Sequence, residues 1–194
     1  MPSRVARHVV LSETATFDAK TGALRVVIET PQGSRNKYDY DPDCDCMELG
    51  TVLPEGMQFP YDFGFVPSTL SDDGDPLDIL VLMDAPVAPG CVIKVRPVGA
   101  IEAKQKAKGE GWERNDRLIA VAVHSQTHPE AKSIGDLRPH LVEEIKAFFI
   151  NYNHLRGRKF KPLAEAGPQA AERLIEAGRK TFKKEQDSRR KDQK

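Results

Sequence analysis

Residues 71–82 read Ser71-Asp72-Asp73-Gly74-Asp75-Pro76-Leu77-Asp78-Ile79-Leu80-Val81-Leu82, placing four carboxylates directly before an unbroken apolar run. The run Ile79–Leu82 predicts a core strand, and such a strand holds Asp78 rigidly at its rim. If Asp73 to Asp75 is extended, those two side chains share a face. Gly74 removes bulk between them, and Pro76 fixes the backbone that follows. Carboxylates this close repel one another, so each must protonate or find a counter-charge. Oxygen ligands without His or Cys beside them point to a hard cation, magnesium, manganese or calcium. Taken alone, the same stretch also reads as a solvated Asp-rich turn. A calcium EF-hand loop is excluded, because its third acid and its Gly fall on the wrong residues.

Upstream, the segment from Pro54 to Asp84 is rich in Pro, Gly and Asp, interleaved with Phe59, Tyr61, Phe63 and Phe65. The aromatics need burial, so an ordered, irregular region around a site is expected. Further upstream, Leu24, Val26 and Ile28 alternate with Arg25, Val27 and Glu29, which predicts a half-buried strand ending in a carboxylate. A turn at PQGSRN and a polar strand from Lys37 to Tyr40 follow. Downstream, Cys91 to Ile101 reads as a strand bent by Pro97 and Gly99. Lys104 to Arg117 reads as a loop or hairpin tip, and Leu118 to Val123 as another core strand.

The period then changes. Leu137, Leu141, Ile145, Phe148, Phe149 and Tyr152 fall at helical spacing, and Ala171, Leu174, Ile175, Gly178 and Phe182 repeat it after Pro168. The final run KKEQDSRRKDQK, roughly residues 184–194, has no apolar face and is expected to fray as a basic tail. Strands first and helices last predict an α+β, mainly β fold. The expected form is a small closed OB-like β-barrel with two C-terminal helices packed outside, residues 1–194 making a single domain.

Lys+Arg and Asp+Glu both count 29, so the formal net charge is zero. That balance argues against a strongly steered nucleic-acid or membrane binder. No apolar run approaches the ~18 residues that a membrane span needs. The start MPSRVARHVV lacks the apolar stretch of a signal peptide, so a cytoplasmic protein is expected. Three cysteines, Cys44, Cys46 and Cys91, then read as reduced thiols. Cys44 and Cys46 form a C-x-C, but a zinc site needs further ligands at regular spacing. Cys91 is one candidate, and no C-x-x-C or H-x-x-x-H closes the set, so a plain loop is the reading taken. His124 and His128 read as surface or loop residues, since Pro129 follows them.

Asp73-Gly74-Asp75-Pro76-Leu77-Asp78-Ile79 resembles the signature of the soluble type I inorganic pyrophosphatases. That signature is an acid, a small or polar residue, an acid, Pro or Glu, an apolar residue, an acid and an apolar residue. The flanks are similar too: Phe59-Pro60-Tyr61-Asp62-Phe63-Gly64, Val26-Val27-Ile28-Glu29, Lys37-Tyr38-Asp39, Pro89-Gly90, Arg96-Pro97-Val98-Gly99 and the late helix with Phe148-Phe149 and Tyr152. The resemblance runs from about Val9 to Lys161.

It implies magnesium-dependent hydrolysis of pyrophosphate by a metal-activated water, with manganese or another divalent metal as substitute. It implies Asp73 and Asp78 as metal ligands, Asp75 as the base, and Glu29 as the holder of an outer metal ion or its water. Lys37 and Tyr152 would bind phosphate. A homo-oligomer, a hexamer in the family, is implied as well. From the residues alone, Glu29 also reads as an outward strand acid and Lys37 as a solvated edge lysine.

The chain departs from the family in several places. Thr51 stands where a phosphate-binding Arg is expected, Phe59 and Phe63 where tyrosines are, and Asn153 where a Lys is. Before Leu118 the family's acid and Lys become Asn115 and Arg117, with Asp116 between them. Asp116 is therefore expected to supply the missing metal carboxylate and Arg117 to grip the leaving phosphate in two-pronged fashion. Both can turn inward only if a bulge or turn interrupts the alternation at Asn115; otherwise Asn115 offers its carbonyl oxygen, and Glu110 or Glu113 the charge. The departures keep a second reading open, a catalytically weakened relative that binds pyrophosphate or nucleotide on the same barrel.

Overall fold

The computed structural model describes residues 10–192. The MPSRVARHVV run, but for Val10, lies outside them, as do Gln193 and Lys194. Nine strands and two α-helices are present among the described residues: β1 (Leu24–Thr30), β2 (Asn36–Asp41), β3 (Cys46–Val52), β4 (Asp62–Val66), β5 (Leu77–Leu82), β6 (Val92–Lys106), β7 (Glu113–Arg114), β8 (Arg117–Ala122), α1 (Leu141–Leu155), β9 (Lys159–Ala166) and α2 (Pro168–Asp192).

Pairing in the order β1–β4–β5–β8–β6 returns to β1 through β6, so five strands form a ring. All contacts in it are antiparallel except β5 with β8. The long β6 makes this possible. Val92–Val95 pairs β1, Val95–Ile101 pairs β8, and Ala100–Lys106 pairs β9, with an irregular register between Pro97 and Gly99 where the strand bends. A separate ribbon of β2 and β3 stands beside the ring.

Strands in the ring are covered on both sides, which is why β5 and β8 read as continuous apolar runs rather than alternating ones. Leu80, Leu82, Ile119 and Val121 point into one core with Leu141, Ile145 and Phe149 of α1. Ile79, Val81, Leu118 and Ala120 point into the other with Ala171 and Ile175 of α2. The expected half-buried strand at Leu24–Thr30 is corrected on the same ground: β1 lies between β4 and β6, and every residue from Val26 to Thr30 is buried.

Three further expectations change. Leu137 belongs to the α1 core but precedes the helix, because Pro139 holds the residue before it out of helical geometry and α1 begins at Leu141. α2 runs through the basic segment to Asp192, built from strong helix formers and braced by Glu185–Arg189 at 3.2 Å. The Pro54–Asp84 region contains a true strand, β4. Among the described residues no helix is long and apolar enough to cross a membrane.

Gly64 sets how closely β1 and β4 approach. A Cβ there would lie 1.9 Å from the Val27 carbonyl oxygen. Gly64→Ala is therefore expected to cost about 2–3 kcal/mol in urea unfolding, since backbone cannot yield as a flexible side chain can. An unchanged midpoint would mean that the β1–β4 contact relaxes freely.

Candidate active site

Seven elements (β1, β2, β4, β5, β6, β8 and α1) and the turn before β5 line a cleft of about 490 Å³. Asp78 is the second residue of β5 and faces the first residue of β8, Arg117, with Arg117 Nη1 2.5 Å from Asp78 Oδ2. Asp73 and Asp75 lie on the turn before β5. That turn is not extended; it closes through Ser71 N donating to Asp75 O at 2.7 Å and Gly74 N to Ser71 O at 3.2 Å. Gly74 has φ 90, and nothing would crowd a Cβ there, so glycine serves the backbone angle rather than space. Asp75 N donates to Asp73 Oδ1 at 3.2 Å.

Opposite the turn, Glu29 on β1 and Lys37 on β2 meet. Lys37 Nζ donates to Glu29 Oε2 at 3.3 Å, to Asp39 Oδ1 at 2.6 Å and to the Tyr38 carbonyl at 2.6 Å. Tyr40 N donates to Glu29 Oε1 at 3.0 Å. Both residues are buried, Lys37 at 6% exposure, so neither the outward acid nor the solvated edge lysine describes them. Tyr152 on α1 packs its ring against Phe59 and Phe148, both at 5.8 Å between centroids. Its hydroxyl accepts a close hydrogen bond from Arg156.

The cleft thus brings together Glu29, Lys37, Asp73, Asp75, Asp78, Arg117 and Tyr152. It does not bring in Asp116. Strand-like alternation persists at this point, with no inward bulge: Asn115 and Arg117 line the cleft while Asp116 points away and accepts from Ala103 N at 2.8 Å and Arg114 Nε at 2.6 Å. Glu110 and Glu113 are exposed and also lie off the lining. Asn115 instead donates from Nδ2 to Asp73 Oδ2 at 3.1 Å, and its Oδ1 accepts a close bond from Arg117.

The other departures also resolve. Thr51 lies opposite Lys37 on β3 and borders a separate small cavity. Arg35 pairs with Glu55 at 2.5 Å and does not line the cleft. Asn153 spends its amide on the Phe149 carbonyl at 2.9 Å, while Arg156 and Arg158 behind it do line the cleft. Gln105, on the stretch of β6 paired with β7 and β9, joins the lining without any signal in the sequence.

The electrostatics follow from crowding. Burial pushes the Glu29 carboxyl up, with Lys37 opposing. Burial also raises Asp78, against the pull of Arg117 and Lys37. Asp75 is raised by partial loss of water and by the charge on Asp73. Burial acts to lower the Lys37 ammonium, but Glu29 and Asp39 outweigh it and hold it above its ordinary value.

The lining carries five carboxylates (Glu29, Asp39, Asp73, Asp75, Asp78) and four cationic side chains (Lys37, Arg117, Arg156, Arg158), and no His or Cys. Lys37 and Arg117 already serve the acids. A polyanionic substrate entering here needs further positive charge, and carboxylate oxygens alone suit a hard divalent ion. Clustered carboxylates facing fixed cations in one cleft are what phosphoryl hydrolysis requires.

Comparison with known proteins agrees. A family model described as inorganic pyrophosphatase matches residues 26–183. The inorganic pyrophosphatase of Synechocystis sp. is 41% identical over 164 residues, 84% of this chain and 94% of the relative. That of Thermus thermophilus is 40% identical over 144 residues, 74% and 79% of the two chains. The Thermus thermophilus crystal structure aligns with a TM-score of 0.81 at 36% identity, covering 90% of this chain and 99% of that one. The Helicobacter pylori enzyme aligns at 0.79 and 31% identity, over 88% and 99%. The chain belongs to the inorganic pyrophosphatase family, enzymes that hydrolyse pyrophosphate with the help of a divalent metal.

The Lys37–Glu29 pair yields a pH-dependent test. A carboxyl whose folded pKa is raised contributes stability below its ordinary value of 4.5, lost as pH rises through the folded pKa. Removing Lys37 raises that pKa further and widens the window of loss. Lys37→Met is expected to lose about 3–5 kcal/mol at pH ~8 and distinctly less at pH ~5, read from urea midpoints. Equal losses at both would mean that Glu29 remains ionised without its partner.

Proposed function

We propose that this enzyme hydrolyses pyrophosphate with magnesium, on one domain spanning the chain, and that the five-strand ring is an OB-like barrel presenting the site at its rim. The observation that carries the reading is the convergence of all three signature acids with Lys37, Arg117 and Tyr152 on a single cleft. Asp73 and Asp78 would hold the metal, with Glu29 behind them toward an outer ion or its water. Asp78 keeps Oδ1 for that purpose, since Arg117 takes Oδ2. Manganese or another divalent ion fits the same oxygen set less selectively. When bound, the metal neutralises the polyanion and acidifies water, from pKa 15.7 toward ~7 in favourable sites.

The chain's own groups do the rest. Asp75, at the open side of the cleft, accepts the proton of the attacking water; its raised pKa suits a base that must hold that proton. As the new P–O bond forms, the bridging P–O bond breaks, and the departing phosphate meets the fixed charges of Lys37 and Arg117 and the hydroxyl of Tyr152. Arg117, at 5% exposure and flanked by the Phe149 and Phe160 rings at 5.0 and 5.6 Å, sits in a poorly solvated place where its charge acts strongly. Asp116 has no part in this scheme; it anchors β6 to Arg114. A cytoplasmic homo-oligomer fits the bacterial relatives.

Phosphate release from pyrophosphate is expected only with divalent metal, magnesium serving best; full activity in excess chelator would sink the reading. A chain that binds pyrophosphate but releases no phosphate would favour the weakened relative. Asp75→Asn is expected to lower turnover ~10² to 10⁴-fold. Metal affinity should fall most in Asp73→Asn and Asp78→Asn, by calorimetric titration. Equal loss of affinity in all three would remove the division of roles.

A further inference from the structure

The β2–β3 ribbon carries a second donor cluster outside the cleft. Directly opposed residues of an antiparallel pair share a face. Asp41 is opposed to Cys46, and Asp39 to Glu48. Cys46 and Glu48, two apart on β3, therefore lie on the face that also carries Asp41. The turn between the strands brings Cys44 back over it, with Cys44 Sγ 3.3 Å from Asp41 Oδ2. Asp45, at φ 50, gives that turn its reversal, and Asp43 N holds Asp41 Oδ1 at 2.8 Å. The two sulfur atoms and a carboxylate oxygen of Glu48 all lie within 4.8 Å of one another.

Sequence spacing hides this group. C-x-C shows two ligands; the third is not Cys91 but Glu48, whose carboxylate groups with both sulfurs, and Asp41 stands beside them through its contact with Cys44 and its register opposite Cys46. Two sulfurs and two carboxylates match the four-coordinate taste of zinc-like ions, and the sulfurs exclude magnesium as the natural occupant. A tetrahedral ion about 2.3 Å from sulfur and about 2.0–2.2 Å from oxygen needs ligand atoms somewhat closer than they now lie. The cysteines and Glu48 are exposed at a hairpin tip, so side-chain torsions close that gap without disturbing a core.

We propose that Asp41, Cys44, Cys46 and Glu48 form a two-thiolate, two-carboxylate site for a divalent ion of the zinc and cadmium class, separate from the oxygen-only cleft. On binding, both thiols release their protons to solvent and the two sulfurs bond the ion.

The test uses the full chain, kept reduced and held in excess magnesium so that the cleft does not compete. Cadmium is titrated while the ultraviolet sulfur-to-cadmium charge-transfer band is followed. The band should saturate at one equivalent, zinc should erase it, and it should persist in Cys91→Ser. It should vanish in the double variant Cys44→Ser/Cys46→Ser, and Glu48→Gln should weaken binding at least about tenfold against a chromophoric chelator. No band at one equivalent, an unchanged band in the double serine variant, or a band that depends on Cys91 would overturn the site. Undiminished affinity in Glu48→Gln would overturn the four-ligand assignment. Cys44, Cys46 and Glu48 are exposed and Cys91 is half-buried, so thermal unfolding should stay cooperative in each variant.

Discussion

The cleft exists only because the repulsion among Glu29, Asp73, Asp75 and Asp78 is balanced within the protein. Two like charges about 4 Å apart at an effective dielectric of ~20 repel by ~4 kcal/mol. A few such pairs would consume the ~5–15 kcal/mol by which a domain is stable. Buried cations are the remedy. Lys37 bridges Glu29 and Asp39, and Arg117 holds Asp78. Neither cation has the freedom of a surface lysine, because each is walled by rings: Lys37 stands 5.2 Å over Phe63, and Arg117 between Phe149 and Phe160. The wall raises the strength of every charge interaction and also its cost, which shows at Arg117, whose buried Nε has no hydrogen-bond partner among the described residues.

The groups come from distant parts of the chain, so the ring must close before the site can form. Asp78 and Arg117 meet because β5 and β8 run parallel with Ile79 beside Leu118. Glu29 reaches them because β1 is joined to β5 through β4. A register slip of one residue would turn Asp78 into the apolar core and Ile79 into the cleft. The apolar runs behind these residues therefore fix both the fold and the aim of the polar side chains at its rim.

The legible parts of the sequence were those where a local pattern has one physical outcome. Ile79–Leu82 and Leu118–Val123 are apolar on both faces, and both are central strands. The helical stripe from Leu141 to Tyr152 is amphipathic, and it is α1. Strand β9 was missed because Pro162 and scattered lysines break its pattern; it is held by pairing with β6, not by its own propensity. Strand β3 was missed because the ribbon is exposed and polar. In the site, Lys37 and Glu29 could be singled out only through the resemblance, since burial of a charge is invisible in a one-dimensional pattern. Asp116 is the acid nearest β8 along the chain, but alternation decides which side chains face the cleft, and it turns Asp116 toward Ala103 and Arg114 instead.

That alternation gives the Asn115–Asp116–Arg117 segment its meaning. Where the family pattern has an acid, Asn115 removes one negative charge from the rim while Arg117 keeps the positive one. The amide then does what a carboxylate cannot: it donates to Asp73 and accepts from Arg117, turning a repulsive neighbour into a bridge between the turn and β8. Arg117 draws Asp78 in the same direction. Both contacts balance part of the acidic cluster with the protein's own groups. Arg156 and Arg158 add guanidinium charge to the lining just beyond the neutral Asn153.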